Sequence, residues 1–84
     1  MNEMKQYLRQ FISELLPDGK SATLRDDTPL RTSGLVDSMG MLRIVSFLEE
    51  KYGIEVDAYE ASVENFDRID DIAAFVQKKL AAKA

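Results

Sequence analysis

The sequence predicts an all-α bundle of three long helices and one short one, with a long loop between the first and second. Three observations carry that expectation. Apolar residues recur at steps of three and four in three separate stretches, the period of one helix face. Helix stops follow the first two stretches, Pro17 and Gly53. The one segment that alternates like a strand, "IEVDAYEASVENF", does so only briefly and is interrupted by Asp57.

Taken in order, Met4, Tyr7, Leu8, Phe11, Ile12, Leu15 and Leu16 mark the first helix. It should end before Pro17, which disfavours helical backbone in the residue ahead of it and has no N–H for the ladder. "PDGKSATLRDDTPLRTSG" then reads as the long connection, with Leu24 and Leu30 expected to anchor it to the core. The second helix is expected from about Ser38 to Tyr52. Ser38 stands where a helix N-cap belongs, and Asp37 would complement the positive helix end. Projected at about 100 degrees per residue, Met41, Ile44, Val45, Leu48 and Tyr52 share one side and Met39, Leu42, Arg43, Ser46 and Glu50 the other. Two large apolar residues on that outer side, next to the helix start, suggest a docking surface. Ile54 and Val56 should pin a loop, and a short third helix is expected around Tyr59 to Val63. In the last helix Asp67 and Asp70 resemble a capping box, Ile69, Ile72, Ala73, Phe75, Val76 and Leu80 supply the apolar face, and Lys78, Lys79 and Lys83 suit the C-terminal dipole.

At 84 residues the chain is expected to be one domain, 1–84, because separate cores typically need about 100 residues each. It has no cysteine and no histidine. That removes disulfides, thiolate chemistry, the usual general base and the commonest metal ligands, so neither a catalytic nor a metal site is expected. The N-terminus has no signal-peptide apolar run, and no stretch approaches the about 18 apolar residues of a membrane span, so the expected location is cytoplasmic. Net charge is −4, but residues 49–71 hold nine carboxylates against Lys51 and Arg68, a local net of −7 that leaves +3 elsewhere. Such a surface repels nucleic acid and anionic lipid and attracts basic protein patches.

Several apparent motifs fail. "DGKS" at Asp18 to Ser21 resembles the end of a phosphate-binding loop, yet Glu14 occupies the position of its first glycine. "RDDTPLRTSGLVD" lacks the alternating ligands and terminal glutamate of a calcium loop. The pairs Glu49/Glu50 and Asp70/Asp71 are neighbours in helices, where adjacent side chains diverge.

What remains is Ser38. As a nucleophile it has no histidine to activate it. As a site for modification it is well placed, since the free N–H groups and dipole of a helix start favour a phosphate ester. A modifying group could also bring in the thiol that the chain lacks. "SGLVDSMGMLRIVSFLEEKYGIEV" followed by "ENFDRIDDIAAFV" resembles the acyl carrier proteins, over nearly the whole chain.

That resemblance implies an acyl-carrier-like four-helix bundle. Ser38 would be esterified with 4'-phosphopantetheine from coenzyme A by a phosphopantetheinyl transferase, with Asp37 engaging the transferase. The arm's thiol would hold acyl groups as thioesters for a lipid, polyketide-like or specialised pathway. Met39, Leu42, Glu49, Glu50 and Glu55 would dock on basic patches of an acyl- or aminoacyl-adenylating ligase, synthase or acyltransferase. The protein would be a monomeric, non-catalytic carrier. Gly40 stands where many fatty-acid carriers have an acidic residue, and Arg43 replaces a glutamate common on that face. "GLVDSMG" looks instead like discrete carriers served by an adenylating ligase, D-alanyl carriers included. An aminoacyl or D-alanyl carrier is therefore the alternative, and an unmodified helical adaptor is the alternative of another class.

Overall fold

The structure, a computed structural model, describes residues 2–16 and 24–83. The "DGKS" segment lies outside them. Four helices follow in order: α1 (Asn2–Leu15), α2 (Ser38–Tyr52), α3 (Val63–Phe66) and α4 (Ile69–Lys83). There is no strand among the described residues, and no helix is long and apolar enough to cross a membrane.

Each helix buries the face that its periodicity marks. Met4, Leu8 and Ile12 of α1 are buried, with Leu16 just beyond the helix end. Phe11 on the flank of α1 stacks on Phe47 of α2, ring centroids 4.2 Å apart. The core face of α2 is Met41, Ile44 and Leu48, with Val45 and Tyr52 packed at its edge. Ile69, Ile72, Ala73 and Val76 of α4 have no exposed surface, and α4 packs on α1, α2 and α3. A fully buried aliphatic side chain stabilises by about 1.5–3 kcal/mol, so α4 is the element around which the others are held. Lys5 of α1 bonds Asp70 of α4 at 2.7 Å; this contact raises the lysine pKa.

α2 ends at Gly53, whose backbone is left-handed at φ 65° and whose N–H reaches the Glu49 carbonyl. Glycine adopts that conformation without steric cost, which makes it the common helix stop. After it, Ile54 is buried and Val56 partly so, as a pinned loop requires.

The structure corrects the expected third helix. It covers Val63–Phe66, whereas Asp57 to Ala61 make a single turn closed by Glu60 and Ala61 N–H groups on the Asp57 carbonyl. The Glu60 carboxylate fixes this turn, accepting the Asp57 N–H at 3.0 Å and pairing with Lys79 of α4 at 2.8 Å. Phe66, wholly buried, then selects the later residues as the helix.

The expected capping box at Asp67 is also corrected. Its carboxylate turns from α4 to the long loop, where Oδ1 accepts the N–H of Arg31 at 2.9 Å and of Thr32 at 3.0 Å. Oδ2 accepts the Thr32 hydroxyl at 2.9 Å. Three unsatisfied loop donors outcompete one helix N–H, the more so because Leu30 N–H already bonds the Asp67 carbonyl at 2.6 Å. Asp70 N–H, in turn, is satisfied by the Asp26 carbonyl. The loop is thus stitched to the α3–α4 corner, and Leu30 and Val36 plug it into the core.

Candidate functional site

That stitched loop delivers the chain to the start of α2. Asp37 is extended there, with φ −87° and ψ −177°, and its Oδ1 accepts the Gly40 N–H at 2.8 Å. Its carbonyl receives the first helical N–H, from Met41. Asp37 is therefore the N-cap, and Ser38 is the first residue inside the helix, which corrects the expectation that Ser38 caps. The carboxylate wins because it meets the N–H with a full charge and complements the helix dipole. Val36 behind it, only 4% exposed, holds the backbone that aims it.

Ser38 is left exposed, with no hydrogen bond to its hydroxyl among the described residues. Replacing it should then cost nothing in folding. Ser38→Ala is expected to leave the urea midpoint unchanged, whereas Asp37→Ala should lose about 1 kcal/mol, the usual worth of a cap. The reverse ranking would return the capping role to Ser38.

Gly40 has a physical reason that sequence reasoning missed. A Cβ at this position would lie 2.9 Å from Val36 Cγ1 and 3.3 Å from Asp37 Oδ1. Val36 is β-branched and buried, so it cannot yield cheaply. A glycine in the first turn, against its cost of about 1 kcal/mol relative to alanine, was the available signal. Its lack of a side chain lets the buried plug and the cap converge beside Ser38.

The outer side of α2 matches the helical projection. Met39 is 64% and Leu42 62% exposed, and Arg43, Ser46 and Glu50 share their exposure. Glu55, beyond the helix, is exposed as well. Glu49 differs: it is partly buried, and its Oε2 accepts the Val56 N–H at 2.9 Å. That carboxylate holds the chain leaving α2, a contact that helical projection cannot show because its partner is seven residues away in a loop.

Asp67, which ties the loop, has its pKa lowered. Burial pushes it up, but the bonds from the Thr32 N–H and hydroxyl, the Arg31 N–H and the Leu30 N–H together outweigh burial. Among the described residues no comparable base stands at Ser38. Asp37, its neighbour, is engaged with Gly40. The Ser38 hydroxyl is thus open to solvent at a helix start, with the exposed apolar side chains of Met39 and Leu42 beside it. A helical bundle with an exposed hydroxyl at a helix start has the features that a carrier of a covalently held group requires.

Comparison with known proteins agrees. The family model described as "Phosphopantetheine attachment site" matches residues 6–76. The D-alanyl carrier protein of Abiotrophia defectiva is 30% identical over 81 residues, which cover 94% of this chain and 99% of that protein. A solved chain, from a structure described as "Crystal structure of FAD-dependent dehydrogenase", superposes with a TM-score of 0.72 at 28% identity, over 82% of this chain and 97% of that one.

The chain belongs to the phosphopantetheine-attachment carrier family. The cofactor of that family is a covalently attached 4'-phosphopantetheine. The residues here fit it: a hydroxyl that is exposed and unengaged stands in a helix first turn, where N–H groups without carbonyl partners favour a phosphate.

Proposed function

We propose that Ser38 is the attachment residue and that the chain is an acyl carrier, loaded by an adenylating ligase and read by partner enzymes of a specialised biosynthetic pathway. The observation that carries this reading is the division of labour at the start of α2: Asp37 caps the helix, so the Ser38 oxygen can be esterified without removing a structural bond. In the transfer, that oxygen forms the bond to phosphorus, its proton leaves to a base of the transferase, and the nucleotide half of coenzyme A departs. When bound, the arm supplies the thiol that this cysteine-free chain lacks, on which a carboxylic acid is held as a thioester. Asp37, Met39, Leu42, Glu50 and Glu55 then present the carrier to the transferase and to basic patches of its partners. Glu49 supports that face by fixing Val56 behind it.

The name of the Abiotrophia relative favours a second reading, a D-alanyl or other aminoacyl carrier. Co-expression with a promiscuous phosphopantetheinyl transferase and intact-mass measurement tests the shared claim. The wild type is expected to gain the mass of one arm, and Ser38→Ala none. If several transferases add nothing to the wild type, the adaptor reading replaces the carrier.

A further inference from the structure

We propose that Arg43, the one cation on the outer side of α2, is a specificity-determining residue. It selects partner enzymes that set a carboxylate against it and turns away those whose docking surface is basic throughout. This inference rests on the Ser38 carrier reading and names the chemistry of the surface that reads the carrier.

Arg43 stands where an enzyme reaching for Ser38 must meet it. The two residues are five positions apart in one helix, about 7.5 Å along its axis. Residues three, four and seven positions apart share a helix side, so Met39 lies one turn before Arg43, Ser46 one turn after it and Glu50 two turns after it. All four are exposed. Glu50 and Glu55, at the far end of this strip and beyond it, attract bases. Arg43, between them and Met39, repels bases. A uniformly basic surface laid along the strip is therefore favoured at one end and opposed near Ser38, whereas a surface with an acid at that place is favoured along the whole length.

The fold itself makes no use of this guanidinium. α2 carries two cations, Arg43 and Lys51. Lys51 is drawn to α1, its Nζ 4.0 Å from the centroid of the Tyr7 ring. Lys5, Arg9 and Lys79 pair with Asp70, Asp26 and Glu60. Arg43 makes no ion pair or hydrogen bond among the described residues, although Glu14 of α1 and Glu50 line the same groove between α1 and α2. The other walls of that groove are Phe11, Leu15, Ser46 and Phe47. With apolar neighbours on one side and a partner covering the other, the local dielectric falls, and the sign of the charge facing Arg43 counts for more than on an open surface. A guanidinium keeps its charge across the working pH range and can hold a carboxylate through two parallel bonds.

The test uses the full chain and, as probe, a phosphopantetheinyl transferase whose docking surface carries bases and no carboxylate. kcat/KM for arm transfer from coenzyme A is measured at low and at high salt for the wild type, Arg43→Gln, Arg43→Glu and Lys78→Glu. The last makes the same charge change at an exposed position of α4. Equal urea midpoints show that the variants are folded. Arg43→Glu is expected to be modified about three- to tenfold faster than the wild type at low salt, with Arg43→Gln between them. The gain should lie in KM and shrink at high salt, and Lys78→Glu should stay within about 1.5-fold of the wild type. Replacing the transferase's bases by glutamate one at a time should then find one reversal that makes the wild type the better substrate. If Arg43→Glu is no faster than the wild type or than Lys78→Glu, or if no reversal couples to Arg43, the inference is overturned and Ser38 remains the attachment residue. If neither the wild type nor any variant takes the arm, the carrier reading falls and this inference with it.

Discussion

Phe66→Ala is expected to lower the unfolding free energy by about 3–5 kcal/mol, the range for emptying a fully buried phenylalanine site. A chain of 84 residues has a total of about 4–13 kcal/mol at the usual stability per residue, so this one side chain decides whether the variant is folded at ambient temperature. The reason lies in α3. Four residues are far too few for a helix to persist on its own, since about 12 to 15 are needed before propagation outweighs nucleation. α3 exists because Phe66 is buried against Phe75 and the α4 face. Urea unfolding followed by circular dichroism measures the loss. Phe66→Leu, which retains most of the volume, should cost no more than about 1.5 kcal/mol. A loss below about 1 kcal/mol for the alanine variant would show that the site can collapse and that α3 is held by something else.

Asp67→Asn should cost about 2 kcal/mol at neutral pH, because bonds to a charged acceptor are worth roughly 1.5–3 kcal/mol each and these donors are partly solvated. The loss should depend on pH in a defined direction. Asp67 titrates below its ordinary value of 3.8 in the folded protein. A carboxyl with a depressed folded pKa adds stability that is fully present above the unfolded pKa and is lost as pH falls through the folded pKa. The difference between wild type and Asp67→Asn is therefore expected to be constant through the neutral range and to shrink as the pH falls below the unfolded value. Glu60, whose pKa the Lys79 contact also lowers, titrates in both proteins and drops out of that difference. A gap that persists undiminished in acid would mean that shape, and not charge, holds the loop.

These two residues are neighbours in sequence, and between them they place Ser38. Phe66 sets the α3–α4 corner, Asp67 hangs the loop on it through Arg31 and Thr32, and Leu30 and Val36 then fix where α2 begins. A substitution about thirty residues away in sequence is thus expected to disturb the start of α2.

Much of this was legible from residues alone. The spacing of Met4, Leu8 and Ile12 and of Met41, Ile44 and Leu48 marks the helix faces that are buried, because a helical period of 3.6 leaves little choice of face. The first helix ends at Leu15, ahead of Pro17 as expected, and the second ends at the left-handed Gly53. Met39 and Leu42 could be placed outside for the same periodic reason. The family, too, could be recognised, since the segment around Ser38 and the order of helices are properties of the linear chain.

Three assignments could be made only in three dimensions. Whether Asp37 or Ser38 caps α2 depends on how Val36 is seated, which no local pattern encodes. Asp67 looked like the start of a capping box because aspartate three residues before another acid is a local signal; its partners are 35 and 36 residues away. The short helix was displaced because its position follows from where one phenylalanine is buried. Periodicity and backbone chemistry act between near neighbours and can be read along the chain. The choice among competing hydrogen-bond partners, and the fit of a buried ring, are settled by contacts between segments that only the folded chain brings together.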